Sequence, residues 1–169
     1  MEERFERYQP DLRAYHRRAR TGPCFVCAIV DGDPAFPGHP IVYEDEKTIA
    51  FLTTNPTQYG YTLVCPKEHR EQATGDFAME EYLDLQRVVY RVAEAVRAEV
   101  GAERMYMMTL GSKQGNSHVH WHVVPLPPGV PYEEQQFGAL MLESAGALRI
   151  PEKEKAELAQ RIAQRIERM

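Results

Sequence analysis

Residues 118–125 read HVHWHVVP, with three histidines at every second position in a chain that holds six. Along an extended strand, residues two apart project to one face, about 7 Å from each other. His118, His120 and His122 therefore share a face, while Val119, Trp121 and Val123 cover the other and pack into a core. A merely polar strand face would be served as well by Thr or Lys, so the alternation points to chemistry. Two kinds are open. Same-face imidazoles chelate an ion such as zinc, copper or iron. A neutral imidazole flanked by others can also attack phosphorus while its neighbours donate to the phosphoryl oxygens.

The flanking sequence leans toward phosphorus. GSKQGNS, residues 111–117, supplies two glycines with amide and hydroxyl side chains, which suit close approach of backbone to an anion. It follows a strand over 105–110, and Pro125, Pro127 and Pro128 are expected to end the histidine strand. Upstream, residues 41–43 and 48–52 read as a hairpin around EDEK, and 61–65 as a third strand closed by Pro66. Between 76 and 100, Tyr82, Leu85, Val89, Val92, Val96 and Val100 recur at helical spacing until Gly101 stops the helix. Leu158, Ile162 and Ile166 mark an amphipathic C-terminal helix that opens with PEKEKAE. Hairpins in place of regular βαβ alternation give an α+β class: an antiparallel sheet of about five strands, a long helix and a C-terminal helix.

The 169 residues, 43% hydrophobic and 27% charged, suit one domain over 23–169 with residues 1–22 as a charged extension, helical on either side of Pro10. A net charge of -5 argues against indiscriminate binding to nucleic acid or acidic membrane. RAYHRRAR, residues 13–20, reads as a solvated helix face or a local anion patch. Three cysteines make no even disulfide framework, MEERFERYQPD has no apolar signal core, and no apolar run approaches the ~20 residues of a membrane span. A reducing, cytoplasmic setting is expected. Within CFVCAIV, a helical turn or the start of a helix under the sheet, Cys24 and Cys27 form one CxxC. By itself that is half a zinc site, a redox pair or buried core.

HVHWHVV resembles the His-φ-His-φ-His-φ-φ signature of the histidine triad (HIT) superfamily, where φ is apolar, and VYEDEKTIAFL and GYTLVCPKEH resemble that family's strand pair and Pro-Lys-x-His segment. The resemblance spans about residues 24–126. It implies a HIT-like fold, a homodimer and a nucleotide substrate, with adenosine expected. The reaction implied is hydrolysis of nucleoside 5′-phosphoryl conjugates: dinucleoside polyphosphates, phosphoramidates or adenylylated compounds. His120 would be the nucleophile, forming a nucleotidyl-histidine that water resolves to a nucleoside monophosphate. His122 would hydrogen-bond the phosphate or leaving group, with Asn116, Ser117 and the loop amides stabilising developing charge.

Phe25, Ile29, Phe51 and Leu52 match the family's apolar pocket for the base, and Thr53 stands where an Asp or Asn normally meets the ribose. A hydroxyl cannot accept two hydrogen bonds as a carboxylate does. Tyr61 replaces a common His. The CxxC, the His of Pro-Lys-x-His and the first triad His match a structural zinc set of several branches, which implies Cys24, Cys27, His69 and His118 as ligands. A phosphorylase or nucleotidyltransferase, or a zinc-stapled nucleotide-binding module without catalysis, are the alternatives.

Overall fold

The computed structural model describes residues 4–36, 39–110 and 116–169. Five strands form an antiparallel sheet in the order β2-β3-β4-β6-β5: β2 Ile41–Glu44, β3 Thr48–Leu52, β4 Thr62–Pro66, β5 Arg104–Met108 and β6 Trp121–Leu126. Asp45 makes the first hairpin, its Oδ1 accepting from the backbone N–H of Lys47 and Thr48 at 2.8 and 2.7 Å. Strand β4 joins β5 through the long helix α3, Met79–Val100, and β6 then enters the sheet between β4 and β5.

The pleat sorts the apolar residues into two cores. Ala50, Leu52, Val64, Val119, Trp121 and Val123 face α3 and the C-terminal helix α6, Glu152–Glu167, meeting Val92, Val96, Leu158 and Ile162. Ile49, Phe51, Leu63, Cys65 and Val124 face the other way, toward the helix α2, Phe25–Val30. The three histidines share the parity of Val124, so they lie on the α2 side. Each fully buried Val or Ile contributes roughly 1.5–3 kcal/mol, and the face under α3 and α6 carries most of them.

Helix α3 starts at Met79, three residues after the expected Asp76. Glu81 Oε2 accepts the Ala78 N–H at 2.9 Å, and Glu80 and Glu81 place negative charge in the first turn. Gly101 ends the helix in a left-handed conformation, φ +66°.

Four expectations change. The stretch before Pro10 is a two-residue strand β1, Arg7–Tyr8, rather than a helix; it pairs with β7, Ala147–Leu148. Arg7 Nη1 also donates to the Thr57 and Ala145 carbonyls at 2.9 and 3.1 Å. Only the segment after Pro10 is helical, as α1, Leu12–Thr21, with Asp11 as its cap. The histidine strand begins at Trp121, where the ladder with β4 ends opposite Val64; two residues further along β4, Pro66 has no N–H, and its carbonyl accepts from the His118 ring. The N–H of Val119 goes instead to the Arg70 carbonyl at 2.7 Å. At its other end β6 runs through Pro125 to Leu126, where β5 is the strand paired with it and a proline is tolerated. Strand β5 ends at Met108, short of residue 110.

Among the described residues no helix is long and apolar enough to cross a membrane. Residues 137–145, which follow the sheet, form two short helices, α4 Phe137–Leu140 and α5 Leu142–Ala145, and Leu140 packs into the α2-side core.

Gly60, at φ +92°, turns the chain into β4, and a β-carbon there would sit 2.9 Å from Val100 Cγ1. Gly60→Ala is therefore expected to lower unfolding stability by about 2–3 kcal/mol, measured by urea denaturation.

Candidate functional site

The α2-side face brings two groups together. The first is Cys24, Cys27, His69 and His118, whose ligand atoms all lie within 4.8 Å of one another. Cys24 caps α2 and Cys27 lies one turn on; His69 follows β4, and His118 precedes β6. His118 Nδ1 is 3.4 Å from Cys24 Sγ and 3.6 Å from Cys27 Sγ, and His69 Nδ1 is 3.4 Å from Cys27 Sγ. Tetrahedral coordination with ordinary zinc–sulfur and zinc–nitrogen lengths puts neighbouring S and N about 3.5 Å apart. The groups behind the two histidines fit as well. The His118 Nε2–H donates to the Pro66 carbonyl at 2.8 Å, and His69 Nε2 faces Glu71 Oε1 at 3.4 Å, so both rings turn Nδ1 toward the sulfurs. Burial pushes the Cys27 thiol up to about 11 and the fully buried His118 down to about 4, so that without a cation both are neutral. Cys65 is buried in the core beside them, its thiol held protonated by burial.

The second group is built around His120 and His122, whose ring centroids are 4.6 Å apart. The His120 Nδ1–H donates to the His118 carbonyl at 2.8 Å. A carbonyl only accepts, so that nitrogen carries the proton and Nε2 keeps a free lone pair. His122 lies opposite Leu63 of β4 and Met108 of β5 in the sheet, and its Nδ1 is 2.7 Å from the Tyr61 hydroxyl. Burial lowers both pKa values, that of His122 to about 3, leaving both rings neutral near pH 7.

Aromatic rings adjoin the pair. Phe25 sits edge-on to His120 at 6.4 Å and to Phe51 at 6.2 Å, and Ile29 packs in the same core. Leu52 does not join them: one residue past Phe51, it points to the opposite face and packs under α3 and α6. Of the four residues expected to line an apolar pocket, three thus share the α2-side core, and strand alternation turns the fourth away. The Thr53 N–H donates to the Tyr61 carbonyl at 3.0 Å. Asn116 and Ser117 precede the histidines, and the buried Asn116 Nδ2 has no hydrogen-bond partner among the described residues. The remainder of the expected anion loop, residues 111–115, lies outside the described residues.

Three contributors carry no signal in a local motif: the Pro66 carbonyl, Glu71, and His39. His39 stands edge-on to Phe51 at 5.4 Å, with Nε2 3.0 Å from Thr54 Oγ1. The Tyr61–His122 bond was equally hidden, although Tyr61, two residues before Leu63, shares the histidine face by strand parity.

A family model for the HIT domain matches residues 39–128. The chain belongs to the HIT domain family. It is 32% identical over 106 residues to an uncharacterized HIT-like protein of Methanocaldococcus jannaschii, covering 60% of this chain and 78% of that protein. It is likewise 32% identical over 108 residues to the adenosine 5′-monophosphoramidase of Schizosaccharomyces pombe, covering 62% of this chain and 74% of that protein. The crystal structure of a zinc-bound histidine triad family protein from Mycobacterium smegmatis superposes with a TM-score of 0.66 at 27% identity, over 86% of this chain and 94% of that one. The CxxC lies upstream of the residues that the HIT family model matches.

Cobalt(II) serves as an optical probe of the donor set. Added to metal-stripped protein, it is expected to give thiolate-to-cobalt absorption at about one equivalent, and the Cys24→Ser/Cys27→Ser variant should lose that band.

Proposed function

We propose that this HIT-family chain hydrolyses nucleoside 5′-phosphoryl conjugates through a nucleotidyl-histidine at His120. The observation that supports it most is the bond from the His120 Nδ1–H to the His118 carbonyl, which leaves Nε2 unprotonated beside His122. Attack by Nε2 on the α-phosphorus forms a P–N bond as the leaving group departs. The ring then carries positive charge, and the His118 carbonyl stabilises it through Nδ1–H. Water next attacks the same phosphorus, breaks the P–N bond and releases the nucleoside monophosphate. Two displacements replace one difficult one, and imidazole is both a competent nucleophile and a good leaving group near pH 7.

His122 and Asn116 donate to the phosphoryl oxygens, with Ser117 beside them. Phe25, Ile29 and Phe51 pack the base, and Thr53 lies at the ribose. Among the conjugates, an adenosine phosphoramidate is the first substrate to test, because a relative at 32% identity is an adenosine 5′-monophosphoramidase. Residues 23–169 carry this chemistry, and residues 1–22 are an extension tied to them through β1 and Arg7.

A structural zinc fits Cys24, Cys27, His69 and His118. Four protein ligands close its coordination sphere, so when bound it cross-links α2 to the ends of β4 and β6 and activates no water. It leaves His120 free to react. Thr53 supports a second reading, a nucleotide-binding module with little turnover, since it offers the ribose no carboxylate. A homodimer is supported by β5, an edge strand with Met107 52% exposed.

Adenosine 5′-phosphoramidate is expected to be converted to AMP by the wild type, and acid-quenched reactions should hold adenylylated protein by mass. His120→Ala should lose at least about 1000-fold in kcat while still binding AMP. AMP binding by a wild type that turns over neither the phosphoramidate nor diadenosine polyphosphates would select the module reading. Metal analysis of protein purified without added zinc should give about one zinc per chain, and chelation should lower Tm.

A further inference from the structure

Tyr61 stands at the centre of the site, yet neither the triad pattern nor the cysteine–histidine cluster gives it a task. Its backbone is doubly anchored: its N–H donates to the Gln58 carbonyl at 3.1 Å, and its carbonyl accepts the Thr53 N–H at 3.0 Å. Its side chain is buried, 9% exposed, in the core that also holds Val26, Phe51 and Val124. The phenol reaches His122 Nδ1 at 2.7 Å with the two rings 66° apart, and it is the hydrogen-bond partner of that ring among the described residues.

We propose that Tyr61 is a positioning residue whose hydroxyl donates to His122 Nδ1 and holds that ring as the Nε2–H tautomer. The inference rests on the reading of His120 as the nucleophile. A neutral imidazole has one N–H and one lone pair, and the hydrogen bond made by one nitrogen decides which the other carries. With Nδ1 accepting from the phenol, Nε2 must bear the proton, and the ring, 4.6 Å from that of His120, offers a donor to phosphoryl oxygens as they gather charge. The opposite tautomer would aim a lone pair at those oxygens and repel them. The sheet makes the arrangement possible. His122 pairs with Leu63, so Tyr61, two residues earlier, lies on the same face and diagonal to it.

The test is histidine-selective 15N NMR of the whole chain, with the His122 signals assigned by their loss in His122→Gln. In the wild type, Nδ1 should appear as a bare nitrogen and Nε2 as a protonated one. Tyr61→Phe keeps the buried ring and removes only the hydroxyl. It is expected to mix the two tautomers and to lower kcat with adenosine 5′-phosphoramidate about tenfold, roughly the worth of one donor in the transition state, with KM changed less than about twofold. A wild-type His122 protonated on Nδ1 overturns the proposal, and that measurement needs no substitution. So does a Tyr61→Phe protein that keeps the Nε2–H tautomer, or that loses it with kcat unchanged. If the wild type turns over no conjugate, the reading of His120 fails, while the tautomer measurement still decides whether Tyr61 orients His122.

Discussion

Three hydrogen bonds divide the labour of three chemically identical side chains. His118 donates Nε2–H to the Pro66 carbonyl, His120 donates Nδ1–H to the His118 carbonyl, and His122 Nδ1 meets the Tyr61 hydroxyl. Each bond commits one ring nitrogen, and where the partner is a carbonyl it also determines what the other offers. His118 turns Nδ1 to the sulfurs of Cys24 and Cys27, and His120 is left with a lone pair on Nε2. Burial reinforces the arrangement by holding all three rings neutral, so none repels its neighbours as a cation.

Much of the surrounding fold keeps those bonds in place. The ladder between β4 and β6 ends at Val64 and Trp121; beyond it the Pro66 carbonyl accepts from His118, and the Arg70 carbonyl takes the Val119 N–H. The Arg70 guanidinium is itself held between Glu68 and Glu81 and lies 4.5 Å over the Phe77 ring, whose neighbours are Tyr82 and Trp121. The segment carrying His118 and His120 is thus pinned from the α3 side of the sheet, although its histidines face α2. Helix α2 brings Cys24 and Cys27 to the same place, and Phe25, between them in sequence, sits edge-on to His120. In the proposed function, cation coordination at His118 and phosphorus chemistry at His120 would share one short segment without competing for the same nitrogen.

The α+β class, the two principal helices and five of the strands were legible because their hydrophobic periods are regular and their stops are explicit: Gly101 for α3, the turn at Asp45 for the hairpin. Less legible was whatever depends on pairing. The strand parity of Phe51 and Leu52 was present in the sequence, but the family match alone put both in one pocket; the pleat separates them. A two-residue strand such as Arg7–Tyr8 has no period to read, and it exists only because Ala147 and Leu148, about 140 positions away, lie alongside it.

By itself, the sequence determined that His118, His120 and His122 share a face, since a period of two is a local property of extended backbone, and it supplied a cysteine pair with two histidines as a matching donor set. Only the tertiary structure decided which nitrogen of each ring is engaged, because the Pro66 carbonyl and the Tyr61 hydroxyl reach their partners across strands, over 52 and 61 positions of chain. The His118 carbonyl is close in sequence to His120, but its orientation is determined by the end of the β4 ladder. Hydrogen-bond direction is a matter of placement in three dimensions, and no spacing rule encodes it.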